Sequence, residues 1–103
     1  MPTKQTKTPL LSKDITVAQY DENRKPLKPA TITIYEMTGH DFFRRAEAKA
    51  LTLHNELLDH GIDKEIIARM SNKEMERVYD EMQKLSGLRP RFNTDDGDDD
   101  LGN

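Results

Sequence analysis

The hydrophobic period of this chain changes once, near Thr38, and that change dictates a mixed fold. Upstream, "DITVAQY" alternates Ile15 and Val17 with Thr16 and Ala18, and "ATITIYEM" sets Ile32 and Ile34 against Thr31, Thr33 and Tyr35. A period of two in β-branched and aromatic residues marks strands buried on one face. Downstream, Phe43, Ala46, Ala50, Leu53 and Leu57 recur at spacings of three and four, which puts them on one face of a helix. The fold class is therefore α+β. An N-terminal β-hairpin packs on two main helices, with a short helix between them. A two-stranded hairpin is barely stable alone in water, so helices must cover it or a second copy must extend it.

Local signals place the boundaries. The segment "DENRKPLKP" is charged and holds two prolines, which predicts a long exposed loop rather than a tight turn. The first helix runs from Thr38 and stops at Gly61, a C′ glycine that brings Ile62 onto Leu57. Leu51 and Leu58 make a second, thinner ridge on it. Asp63 opens a short helix, "KEIIARM". Ser71 opens the last one, with Glu74 at the spacing of a capping box and Met75, Val78, Tyr79, Met82 and Leu85 as its stripe. Gly87 ends it and Pro90 prevents its resumption. Each N-cap (Thr38, Asp63, Ser71) sits between two apolar residues at staple spacing: Met37 and Phe42, Ile62 and Ile67, Met70 and Met75.

Composition sets the outer limits. The 103 residues suit one small domain, residues 14–92, with 34% charged and 34% hydrophobic residues. Lys4, Lys7 and Lys13 make residues 1–13 a flexible basic arm, and the aspartates of "NTDDGDDDLGN" make residues 93–103 a disordered acidic tail. The absence of cysteine removes disulfides, thiolate metal sites and cysteine nucleophiles, and points to a reducing compartment. No stretch approaches the ~20 apolar residues of a membrane span, and the N-terminus lacks the apolar run of a secretory signal. No clustered basic face offers itself to nucleic acid.

Candidate chemical sites fail one by one. Gly39, His40 and Asp41 suggest a metal or acid/base pair, but a metal needs three or four converging ligands. The other histidines, His54 and His60, are six apart, on different sides of a helix. Thr38 as N-cap, its hydroxyl accepting the Asp41 N–H, explains the segment better, with Asp41 on the positive helix end. Arg44 and Arg45, followed by Glu47, read as a solvated helix face. The tail aspartates do not make a calcium loop: with Gly97 sixth, Phe92 would be first and Asn103 twelfth. We expect no catalytic, cofactor-binding or metal-binding residue, and no enzyme.

The order of parts then carries a resemblance. A polar arm, a hairpin ending in "EMTGHD", a helix, and "ARMSNKEMERVYDEMQKLSGL" resemble the small tail assembly chaperones of long-tailed phages, and among them those of the Mu-like and P2-like contractile phages. The resemblance spans residues 14–92 and rests on Thr38, Gly39, Asp41 and the helix opening "MSNKEMERVYDEM". It implies a non-enzymatic chaperone of virion morphogenesis that binds the tape measure protein and keeps it soluble. The implied setting is the host cytoplasm, outside the mature virion. A frameshifted longer form of the chain is an implied second partner, and self-association a further expectation. The expected contact surface comprises the Leu51/Leu58 ridge and the cluster of Ile66, Ile67 and Met70. Two rival readings are a small DNA-binding regulator of the ribbon-helix-helix kind and an acidic decoy protein. The first wants basic residues on its strand, where this chain has Thr and Ile. The second wants carboxylates spread over a folded surface, where five of the nineteen here crowd into the tail.

Overall fold

The computed structural model describes residues 8–47 and 52–92. Strands β1 (Ser12–Tyr20) and β2 (Pro26–Tyr35) form an antiparallel hairpin, followed by helices α1 (Gly39–Glu47), α2 (Leu53–Asp59), α3 (Lys64–Ala68) and α4 (Asn72–Leu85). The α+β architecture is as expected. The readings of residues 1–7 and 93–103 lie outside the described residues. Ser12 and Lys13, assigned above to the arm, belong to β1.

The alternation works as the sequence requires. Ile15 pairs with Ile32, and Val17 with Ala30. Ile15, Val17, Ile32 and Ile34 all point into the core. The opposite face is a polar ladder: the Thr33 hydroxyl donates to Asp14 at 2.6 Å, and the Thr16 and Thr31 hydroxyls lie 3.4 Å apart.

The long loop needs correction. Strand β2 starts at Pro26, so only residues 21–25 turn the chain. Asp21 organises the turn: its carboxylate accepts the N–H groups of Asn23 at 2.8 Å and Lys25 at 2.9 Å. Arg24 closes it with a left-handed φ of 66°. Both prolines lie in β2, where the free edge needs no N–H for the ladder. The register then slips. Val17 faces Ala30 but Gln19 faces Leu27, so Lys28 and Pro29 together oppose Ala18, which is a β-bulge.

The first helix is also corrected: the continuous element expected from Thr38 to Gly61 is two helices. Thr52 leaves helical geometry at φ −93°, ψ 160°, and its hydroxyl accepts the Asn55 N–H at 3.2 Å, so it caps a new helix. A threonine hydroxyl competes with the helical ladder in this way when packing favours a change of direction. Here the change buries Glu56 and Leu57 on α2 while Phe43 on α1 stays 68% exposed. Residues 48–51 lie outside the described residues.

Both glycine stops form. Gly61 has φ 89°, with Ile62 N–H donating to Leu57 C=O at 3.2 Å and Gly61 N–H to Leu58 C=O at 2.9 Å. Gly87 has φ 78° and repeats the pattern on Gln83 and Lys84. These are the paired bonds of Schellman endings. The caps form by halves. At Ser71 the hydroxyl accepts the Glu74 N–H at 3.1 Å, but the Glu74 carboxylate turns away to accept the Ala18 N–H of β1 at 2.6 Å. At Thr38 the roles reverse: the Asp41 carboxylate accepts the Thr38 N–H at 2.8 Å and its hydroxyl at 3.3 Å. Asp63 makes no side-chain cap.

Helix α4 crosses the inner face of the hairpin. Its Met75, Val78, Tyr79 and Met82 join the strand residues, with Met37, Leu57, Ile62, Ile67 and Met70, in one core. Fully burying an aliphatic or methionine side chain contributes about 1.5–3 kcal/mol, so α4, with three such residues and the buried Tyr79 ring, anchors the domain. Polar contacts fix its register on β1: Lys13 Nζ reaches Glu81 at 2.9 Å and Arg77 donates to the Thr16 carbonyl at 2.8 Å. Among the described residues no helix is long and apolar enough to cross a membrane.

Candidate functional site

The main concentration of polar chemistry lies where α1 meets α2 and α4. It begins with Asp41. Its capping role leaves Oδ1 facing the Arg44 guanidinium at 3.7 Å and the His60 imidazole, whose Nδ1 lies at 3.9 Å. The histidine beside Asp41 in space is thus His60, from the end of α2, whereas its sequence neighbour His40 is exposed. Successive residues on a helix point about 100° apart, so adjacency in sequence does not bring His40 and Asp41 together. Burial pushes the His60 pKa below its ordinary value, and the charges of Asp41 and Glu56 oppose that shift without cancelling it.

A second group continues from Arg45. Its guanidinium hydrogen-bonds the Tyr79 hydroxyl, lies 3.6 Å from Glu56 Oε1, and contacts Met37 Sδ at 3.7 Å. Arg91 approaches the other oxygen of Glu56 at 3.2 Å. Both guanidiniums also stack on rings: Arg45 lies 5.4 Å from the Phe42 centroid and 5.5 Å from that of Tyr79, and Arg91 lies 5.4 Å from Tyr79. Phe92 meets Tyr79 edge-on at 5.8 Å. Tyr79 is fully buried, and that burial, with the nearby Glu56 charge, pushes its pKa up. One carboxylate and one phenol thus tie α1, α2, α4 and the segment after α4 together.

This arrangement suits ion pairing between elements. The space among Asp41, Arg44, Arg45, Glu56, Asp59 and His60 is about 10 Å³, which admits at most one water. Among the described residues no three His, Cys, Asp or Glu converge as a metal would require. Sequence reasoning missed the group by assigning Arg45 to a solvated face and Tyr79 to a plain apolar stripe. The available signal was Glu56, a carboxylate three residues after Leu53 and beside Leu57 on the buried face of α2.

The residues expected to contact a partner do not share one surface. Leu58 is 39% exposed, whereas Ile67 at 3% and Met70 at 7% belong to the core, with Ile66 packed against it. Ile67 and Met70 are the second members of a staple and the first of the next, so the geometry that makes a staple also buries them. Leu51 lies outside the described residues. Other exposed apolar side chains are Phe43 and Phe42 on α1, Leu10 and Leu11 before β1, and Tyr35 on β2. No family model matches this chain, and no curated protein or solved structure matches it either.

Proposed function

We propose that this chain is a non-enzymatic binding protein that holds an aggregation-prone helical partner in soluble form during phage tail assembly. The partner implied by the resemblance above is the tape measure protein, met in the host cytoplasm before tail tubes form, with a longer form of the chain as a second partner. The observation that supports this reading is α1. It buries none of its nine residues in the domain's own core, yet displays Phe43 at 68% and Phe42 at 41% exposure. Apolar side chains on a helix that its own fold does not use suit the groove-and-helix mode of peptide recognition. Leu58 on α2 adds a further exposed apolar group.

The experiment is co-expression with the tape measure protein encoded downstream. Phe43→Asp and Leu58→Asp change exposed side chains, so both variants keep the wild-type circular dichroism spectrum. The proposal expects Phe43→Asp to leave the tape measure protein in the pellet. If both variants, singly and together, keep it soluble, the surface is not the one used. If the wild-type chain fails to retain it, the chaperone reading itself falls. Ile67→Asp is unsuitable as a probe, because its side chain is only 3% exposed and the substitution would unfold the core.

A further inference from the structure

We propose that two copies of this chain pair through the outer edge of β2, from Thr31 to Tyr35, antiparallel about Thr33, to make one four-stranded sheet. The inference begins with an asymmetry between the two edges of the hairpin. The half of the outer β1 edge nearest the turn is occupied: the Thr16 carbonyl is taken by Arg77 at 2.8 Å, the Ala18 N–H by Glu74 at 2.6 Å, and the Tyr20 N–H by the Arg69 carbonyl at 2.7 Å. The register sets Thr31 opposite Thr16, Thr33 opposite Asp14 and Tyr35 opposite Ser12, so these three β2 residues also aim their N–H and C=O groups outward. No described residue outside the hairpin hydrogen-bonds to their backbone, and β2 pairs with β1 alone.

The free edge is protected along only half its length. Pro26, Lys28 and Pro29 blunt the part next to the turn, as edge strands usually require. Residues 30–35, "ATITIY", carry no charge and no proline. Their composition favours strand pairing, and the exposed outer-face side chains at 31, 33 and 35 present no repulsive group.

Charge and side-chain fit select a second copy in antiparallel orientation. With Thr33 facing Thr33, each Thr31 faces the Tyr35 of the other copy, a β-branched and aromatic cross-strand pair. The two Lys28 side chains then lie at opposite ends of the seam, far from each other. A parallel arrangement would set Lys28 beside Lys28. The pairing is isologous, so it closes at two copies.

The test uses the full chain. Sedimentation equilibrium over roughly 10 μM to 1 mM spans the affinities of weak self-pairing and is expected to show a monomer–dimer equilibrium. A monomer throughout overturns the proposal. Because the natural sequence has no cysteine, Thr33→Cys reports on one position. Facing residues of a hydrogen-bonded pair lie about 5.5 Å apart between Cα atoms, within disulfide range. With oxidised glutathione this variant is expected to form a covalent dimer at least tenfold faster than Thr16→Cys, which sits on the same sheet face but on the occupied strand. Equal rates would place the contact elsewhere. Thr33→Lys sets two like charges face to face and should abolish the dimer, and mixing it with Thr33→Glu should restore one. A dimer that survives Thr33→Lys alone would refute the edge as the interface.

Discussion

The Glu74 carboxylate accepts the Ala18 N–H at 2.6 Å and so ties the first turn of α4 to the bulge of the hairpin. The bulge leaves Ala18 opposite two β2 residues, and α4 supplies the acceptor from its N-terminal turn. Arg77 holds the same carboxylate at 2.8 Å. That hydrogen bond is the largest cause of the low Glu74 pKa, with the Ala18 N–H acting in the same direction against burial. Hydrogen bonds to a charged group contribute about 1.5–3 kcal/mol, so Glu74→Ala should lower the urea-unfolding free energy at neutral pH by that order, with an unchanged m-value. A loss below about 0.5 kcal/mol would show that the contact is not formed in solution.

The same carboxylate governs acid stability. Its pKa in the folded state lies below the ordinary 4.5, so the unfolded chain binds the proton first. The stabilisation is complete above that ordinary value and is lost as pH falls through the folded value. Glu81, with its pKa lowered by Lys13 and Lys84 against burial, adds to the trend. Thermal unfolding midpoints of Glu74→Gln should therefore fall less steeply below about pH 4.5 than those of the wild type. Parallel curves would rule out this linkage.

His60 adds a second, milder pH response. Burial holds its folded pKa below 6.5, so the unfolded state again takes up the proton first. Stability contributed by the neutral imidazole is present above pH 6.5 and declines as acid approaches the folded pKa. His60→Gln should flatten the stability profile in the interval just below pH 6.5. The reading fails if the wild type instead gains stability on acidification through that interval.

Tyr79 and Arg45 decide how firmly α1 is held, since α1 has no buried residue of its own. Tyr79→Phe removes the hydroxyl that Arg45 engages while keeping the buried ring. Global stability should drop by about 0.5–1.5 kcal/mol. Amide hydrogen exchange should accelerate more in residues 39–47 than in α4. Uniform acceleration across both helices would mean that α1 does not open separately from the rest of the domain.

Gly61 isolates a backbone effect. Its φ is 89°, and an added Cβ would meet no atom within 4 Å. The cost of Gly61→Ala is therefore conformational, about 1–2 kcal/mol, and Gly61→Asn should cost less because asparagine tolerates the left-handed region. Chemical denaturation of the two variants checks the order. Equal losses would point to a steric clash instead.

The features that the sequence alone determined are those governed by neighbours within a few residues. The alternation of Ile32 and Ile34 with Thr31 and Thr33 specified a half-buried strand. Gly61 and Gly87 specified helix ends, because only a few bonds within each last turn decide them. Ser71 specified a helix start for the same reason. Tertiary structure decided the rest. Glu74 stands where a capping box would use it, but Ala18, 56 residues away, takes its carboxylate. The helical spacing continues through Thr52, yet the chain turns there so that Glu56 and Leu57 can be buried while Arg45 meets Tyr79, 34 residues distant. His60 rather than His40 joins Asp41. Such partners are chosen by which elements pack together and by the cost of burying a charge without one, and neither quantity is written in the spacing of residues along the chain.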